Sequence, residues 1–415
     1  MNTVTPVKNA AISFNDTANA FAYKSTEDLK GARLLFSTMQ YGSLVSLGIK
    51  LTPWAINSGL PIKGLIRNTI FKQFVGGETM QETAPVAKKL GEYKVQVILD
   101  YGVEGKEGEA NFDAACEEFI TVIKYAATQA NIPFISVKVT GIARFALLEK
   151  LDAAMHNNNT GGLVARYEAA LQQLSAPEQE EWKWVYHRLN RICSTAAADG
   201  VGVLIDAEES WIQDGVDAVT TLMMETYNSS KPVVYNTVQL YRHDRLQFLK
   251  ESFADAQGGN YILGAKLVRG AYMEKERGRA AENGYPSPIQ PTKEATDRDY
   301  DAAVQFCVEH LDKIGLIVAS HNEQSNLLTT ELLQQKGLPL SHPHVHFSQL
   351  YGMSDNITFN LAAAGCSVSK YLPFGPIKDV IPYLMRRAQE NTSVKGQTGR
   401  ELGLIKKELD RRSGK

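Results

Sequence analysis

The segment YLPFGPIKDVIPYLMRRAQEN at 371–391 places Tyr383, Arg386, Arg387 and Glu390 three and four residues apart. Such spacing brings side chains into neighbouring rows of one helix surface. Gly375-Pro376 just ahead reads as a loop-to-helix junction, because proline at a first helical position forfeits no hydrogen bond. The chemistry open to an arginine pair is anion binding. A guanidinium keeps its charge and offers a planar fork of donors that matches a carboxylate. Arg387 and Glu390, three apart, can pair and fix one guanidinium, which leaves Arg386 to engage the anion. Alone, two adjacent arginines on a helix are an ordinary solvated surface. Pro382 inside the pattern costs roughly 3 kcal/mol in a helix interior, so the spacing predicts a kink or a later helix start.

What must position this helix is legible upstream. Short apolar, β-branched runs recur at 93–99, 134–140, 201–206, 233–239, 261–268, 316–320, 344–347 and 366–372. Helical patterns separate most of them, as at 112–130 and 297–314. Alternating strands and helices imply parallel pairing, and continuous apolar strands imply burial on both faces. Eight such strands predict an α/β fold, a (β/α)8 TIM-type barrel. Residues 1–92 read as an N-terminal helical region, with Thr79-Met80-Gln81-Glu82 resembling a capped helix start. The barrel is expected over 93–398, with a helical insertion at about 150–198 between strands two and three. That insertion opens on the Asn157–Gly162 turn, and a tail helix follows at 399–415.

In such barrels the C-terminal strand ends carry function, because the βα loops converge there. Lys138 falls late in strand two, Asp206 closes strand three and Gln239 closes strand four. Lys266 and Arg269 lie in and after strand five, Ser320-His321-Asn322 follow strand six, and Tyr371 ends strand eight. Each alone has an ordinary structural reading; their convergence on one rim points to a site. Glu104, after the first strand, is placed to act as an ion-pair gate over a substrate. No GxGxxG follows a strand, so a Rossmann-type dinucleotide site is not supported.

Composition narrows the class. A formal net charge of -2 over 415 residues gives no bulk attraction to nucleic acid. Four cysteines lie far apart without a CxxC pair, which reads as idle thiols in a reducing compartment. The N-terminus has acids where a leader would have a basic start and an apolar run. The expected location is cytoplasmic, with peripheral contact to an anionic membrane open to the tail helix. There Leu402, Ile405 and Leu409 recur at helical spacing beside Lys406, Lys407, Arg411 and Arg412. His342, His344 and His346 alternate as a metal face would, but Pro343 marks a strand entry. No metal is expected.

Three ordered motifs make the chain recognisable: LGAKLVRGAYMEKERGRA at 263–280, GYPSPIQPTKEATDRDYD at 284–301 and YLPFGP…PYLMRRAQEN at the arginine helix. They resemble the proline dehydrogenase family, and weaker similarity runs from about residue 60 to the end of that helix. The resemblance implies a distorted (β/α)8 barrel with non-covalent FAD. It implies oxidation of L-proline to Δ1-pyrroline-5-carboxylate and transfer of electrons to a membrane quinone. By the same resemblance, Arg386, Arg387 and Lys138 would bind the substrate carboxylate, while Tyr371, Tyr383 and Leu350 would line the pyrrolidine ring. Asp206, Lys266 and Tyr371 would form the catalytic group. Gln239, Lys266, Arg269, Gly270, Ala271, Tyr272, Ser320 and His321 would hold the flavin. Glu390 would orient Arg387 at the cofactor's edge, and Ala207, Thr292, Lys293 and Asn322 are weaker cofactor contacts.

Two departures stand out. Many bacterial members have arginine where this chain has Lys266 and lysine where it has Arg269, and the KLVRGAY order resembles the eukaryotic-type branch. That branch includes hydroxyproline dehydrogenases with a small residue at the position of Tyr371, so Tyr371 favours proline. A separate pyrroline-5-carboxylate dehydrogenase is the expected partner, since no aldehyde dehydrogenase region accompanies the barrel. The rival readings are a hydroxyproline dehydrogenase and a Schiff-base barrel lyase using Lys138 or Lys266. A binding module without a chromophore is the non-enzymatic alternative.

Overall fold

The eight expected strands are present and close on themselves in a computed structural model. It describes residues 12–41, 45, 48, 62–102, 107–157, 161–393 and 397–414. They are β1 (Gln96–Tyr101), β2 (Phe134–Val137), β3 (Gly202–Ile205), β4 (Val234–Gln239), β5 (Leu263–Val268), β6 (Ile314–Ala319), β7 (Val345–Leu350) and β8 (Val368–Phe374). Each runs parallel to the next, and β8 returns to β1 with Ile98 opposite Tyr371. Strands β3 and β8 are buried along their whole length, as a sheet packed inside and covered by helices outside requires. Several boundaries lie two or three residues from the expected ones. As a result Tyr371 sits within β8 rather than at its end, and Lys138 falls just past β2.

Ile98, Leu204, Tyr235, Ile317 and Tyr371, from five different strands, pack into one cluster separate from the main apolar core, so side chains fill the barrel rather than leaving a pore. Glycines make room for its aromatic rings. A Cβ on Gly264 would sit 2.1 Å from the Val234 carbonyl oxygen and against Tyr235, and one on Gly202 would strike the Phe134 ring at 2.3 Å. Phe134 and Tyr235 meet edge to face at 5.7 Å. Two of the alternating histidines bond within the protein, and only His346 lies on a strand. His346 Nε2 lies 2.6 Å from Ser369 Oγ beside the Phe134 ring, and His344 Nδ1 lies 2.6 Å from the Leu311 carbonyl.

Between β2 and β3 stand three helices, Phe145–His156, Leu163–Leu171 and Ala176–Asp199. The last begins in a capping box of Ser175 and Glu178. In the N-terminal region, helix Met80–Glu92 is capped by Thr79, whose side chain accepts from Glu82 N. Glu82 itself reaches back to Glu78 N at 3.0 Å, one residue earlier than a full capping box demands.

A second core lies outside the barrel. Phe21, Leu29, Phe36 and Phe74 of the N-terminal helices pack with Ile381 and Leu384 of helix Ile377–Ser393 and with Leu404 and Ile405 of helix Gln397–Arg412. The expected tail helix therefore turns its apolar side to the protein, and Lys406 and Lys407 remain exposed. Helix Ile377–Ser393 begins five residues before Pro382 and runs on through it, so the late start does not occur. Glu104 and the Asn158–Thr160 part of the expected turn lie outside the described residues. Among the described residues no helix is long and apolar enough to cross a membrane, and the four cysteines are buried and free.

Candidate active site

At the C-terminal mouth of the barrel, neighbouring strands bring two carboxylates and two amines together. Asp206 extends the β2–β3 ladder by donating its backbone N–H to Val137 at 2.9 Å. Its carboxylate accepts from Lys266 on β5, from Tyr371 OH at 2.7 Å and from Lys138 Nζ at 3.3 Å. Lys138 Nζ also lies 3.5 Å from Asp100 Oδ1 and 3.4 Å from Tyr371 OH. Ser136 Oγ sits 2.8 Å from Asp100 Oδ1 and 3.1 Å from Tyr371 OH. Burial drives the Asp206 carboxyl upward, but the charges of Lys266 and Lys138 outweigh it and hold the group at about 2. The same burial, with Asp100 and Asp206 adding to it, raises the Tyr371 hydroxyl well above its ordinary value, so it donates rather than ionises. Asp100 and Ser136 were not among the expected site residues. Their only trace in the sequence is a carboxylate and a hydroxyl in or beside short apolar runs, which spacing alone does not single out.

The arginine helix closes one side of this floor. Arg387 is buried, its Nη1 is 2.6 Å from Glu390 Oε2, and its guanidinium lies 5.2 Å from the Tyr383 ring centre. Arg386 is half-buried, 5.6 Å from the centre of the Tyr272 ring in the loop after β5. The pair thus differs in setting: one guanidinium is anchored on its own helix, the other stacks across to the neighbouring wall.

That wall is built from the loops after β3 to β6. The Arg269 fork is fixed by Asp297 at 2.8 Å, Ser320 at 2.7 Å and Ser325 at 3.0 Å. Gly270 follows at φ +136, where a side chain would be strained, and a Cβ would meet the Tyr241 ring at 2.5 Å. Gln239 donates to the Glu208 carbonyl at 2.8 Å. His321 Nδ1 pairs with Ser354 Oγ at 2.9 Å, and burial together with Lys370, Arg387 and Arg269 lowers its ring to about 3, so it is neutral. Three of the weaker expected contacts spend polar atoms on the protein itself. Asn322 caps helix Glu323–Gln335, Thr292 caps helix Lys293–Glu309, and Lys293 pairs with Asp297. Glu208, Asp297, Ser325 and Ser354 support the wall from places that sequence spacing could not connect.

Apart from Glu104, which lies outside the described residues, the expected site residues line a single cleft of about 1740 Å³, including Ala207, Ala271 and Leu350. Typical small-molecule sites occupy roughly 300–1,000 Å³, so this cleft has room for a large cofactor beside a small substrate. Among the described residues lining it, ten are Lys or Arg and seven are Asp or Glu. A chain of net charge -2 therefore carries a positive excess where an anion would bind. Gln239 Oε1 is buried with no hydrogen-bond partner among the described residues, an acceptor placed to meet a ligand donor. Positive charge, a side-chain-free approach at Gly270 and this open acceptor fit a flavin cofactor.

Comparison with known proteins agrees with this geometry. The Proline dehydrogenase family model matches residues 83–400. Proline dehydrogenase 1, mitochondrial, of Dictyostelium discoideum is 32% identical, covering 96% of this chain and 74% of its relative. Hydroxyproline dehydrogenase of Xenopus laevis is 31% identical, covering 97% and 90%. Among solved structures, proline utilization A from Bdellovibrio bacteriovorus, inactivated by N-propargylglycine, superposes with a TM-score of 0.71 at 20% identity. That match covers 93% of this chain but 43% of the larger protein, and it establishes the shared barrel fold. With its barrel and cleft matched along most of its length, the chain belongs to the proline dehydrogenase family.

Proposed function

We propose that this protein oxidises L-proline to Δ1-pyrroline-5-carboxylate, using FAD held non-covalently and passing the electrons to a quinone. The observation that carries this reading is the seating of the Asp206–Tyr371–Lys138 floor beneath Arg386 and Arg387 in one cleft. When bound, FAD would supply the two-electron acceptor for the hydride that leaves the carbon beside proline's nitrogen.

The chain's own residues orient the substrate. Arg386 and Arg387 grip the carboxylate, Lys138 adds a third positive charge, and Tyr371, Tyr383 and Leu350 bound the ring. Fixing the ring against the acceptor is the main service the protein performs. Gln239, Lys266, Arg269, Gly270, Tyr272 and His321 form the wall against which the cofactor would lie. Asp206, held at about 2, is too weak a base to take the proton from proline's nitrogen. That proton leaves through the open mouth of the cleft. Asp206 instead fixes Tyr371 and balances the lysines. Engagement of both Lys138 and Lys266 by Asp206 also disfavours a Schiff-base lyase.

Tyr371 is tied by its hydroxyl to Asp206 and cannot swing aside for a 4-hydroxyl group, which favours proline over hydroxyproline. A cytoplasmic setting accords with four buried free thiols, although the Dictyostelium discoideum relative is named mitochondrial. A quinone at a membrane surface and a separate pyrroline-5-carboxylate dehydrogenase would complete the pathway of electrons and product. The purified protein should be yellow, and anaerobic L-proline should bleach its flavin absorbance. A colourless protein that takes up no added FAD would overturn the proposal.

A further inference from the structure

Behind His321 lies a buried charged cluster in which the β7–β8 region meets residues from near both ends of the chain. Asp355 is fully buried, with Lys370 at 2.8 Å, Lys24 at 2.9 Å and Tyr23 OH at 2.9 Å. Glu401, from helix Gln397–Arg412, is buried beside this cluster and accepts the Ser354 N–H at 3.2 Å. Ser354 adopts φ +50, a left-handed conformation uncommon for a residue with a side chain. From that position its Oγ reaches His321 Nδ1 at 2.9 Å. Tyr23, Lys24 and Glu401 fall outside the 83–400 region matched by the family.

We propose that Glu401 is a positioning residue for the cofactor wall, acting through Ser354 to fix the orientation and tautomer of His321. The inference rests on the flavin reading of the cleft. With Nδ1 occupied by Ser354, Nε2 is the ring nitrogen left to meet a ligand. The tautomer follows the partner of the other nitrogen. A Ser354 hydroxyl donating to Nδ1 makes Nε2–H a donor, which suits an anionic or carbonyl-bearing cofactor. Glu401 holds the backbone turn that makes this reach possible. Strained conformations of this kind persist only where their surroundings over-determine them. Burial, reinforced by Asp355, raises the Glu401 carboxyl to about 7, which agrees with its close confinement.

The test titrates full-length apoprotein with FAD, reading the dissociation constant from flavin fluorescence and the apoprotein Tm separately. Ser354→Ala should weaken FAD about tenfold, the scale of one hydrogen bond in a buried network. Ser354→Gly should weaken it equally while Tm holds or rises, because glycine relieves the left-handed backbone. Glu401→Leu should match Ser354→Ala, the double variant should be no worse than either, and Glu401→Gln, which keeps an acceptor, should bind nearly as wild type. FAD affinity unchanged in Ser354→Gly would overturn the link to His321, and that measurement stands even if Glu401→Leu does not fold. Additive losses in the double variant would overturn the route from Glu401 through Ser354. Wild-type protein that takes up no FAD would instead refute the flavin reading, and this inference with it.

Discussion

Tyr371 on β8 donates a 2.7 Å hydrogen bond to Asp206, just beyond β3, across the mouth of the barrel. Ser136 and Lys138 lie within 3.4 Å of the same hydroxyl. Removing that oxygen in Tyr371→Phe keeps the ring but strips Asp206 of a donor. Proline kcat/KM should fall about tenfold, with roughly 1–2 kcal/mol lost in stability. Steady-state kinetics and denaturant unfolding measure the two. Tyr371→Ser should instead open room, raising turnover of 4-hydroxyproline relative to proline.

Replacing Arg386 by lysine exchanges a planar fork for a point charge. Arg386→Lys should raise the KM for proline by about 10- to 100-fold while FAD remains bound, since loss of ground-state and transition-state binding together appears in KM. Flavin absorbance of the purified variant checks cofactor retention. Unchanged proline kinetics would return Arg386 to the solvent.

The pH dependence of the floor has a definite sign. Asp206 titrates at about 2 when folded, below the roughly 3.9 of an unperturbed aspartate. Its ionisation therefore contributes stability that is present above pH 4 and is lost as the pH falls toward 2. Asp206→Asn should be less stable than wild type at neutral pH, and the gap in Tm should shrink as acid is added below pH 4. A gap that stays constant through that window would contradict the pairing with Lys266 and Lys138.

Lys370 is wholly buried against Asp355. Lys370→Met should leave that carboxylate under-compensated and destabilise the fold by about 3–5 kcal/mol, as breaking a buried ion pair from one side does. Chemical denaturation gives the value.

Much of the fold was legible because its strands are largely buried, and burial writes short runs rich in Val, Ile and Leu. The limits were less so. The run expected at 366–372 folds as Val368–Phe374, since strand ends depend on pairing with β1 and β7 rather than on their own residues. Pro382 predicted a kink or a late start; the helix starts at Ile377, and Ile381 and Leu384 beside the proline are buried in the second core. Packing there holds the helix against the missing hydrogen bond. The arginine helix and the motif after β5 marked the cleft because they are local in sequence. Asp100 with Lys138, and Glu401 with Ser354, are joined only by register and tertiary docking. Periodicity carries no such information. The tail helix shows why: its Leu402–Ile405–Leu409 spacing is that of any amphipathic helix, whether its partner is lipid or protein.

Closure of the barrel joins β1 to β8, the first strand made to the last. A pairing so distant along the chain is entropically slow to nucleate. Tyr371 stands on the closing strand and the arginines lie just after it, so the cleft proposed to take substrate is not complete until the ring is shut. A nascent chain released early, or stalled with seven strands, would therefore have walls without a grip. Once the ring shuts, anything that binds only the finished cleft adds to its persistence by mass action. Supply of cofactor in the cell thereby becomes a determinant of how much of this protein survives, as well as of how much of it is active.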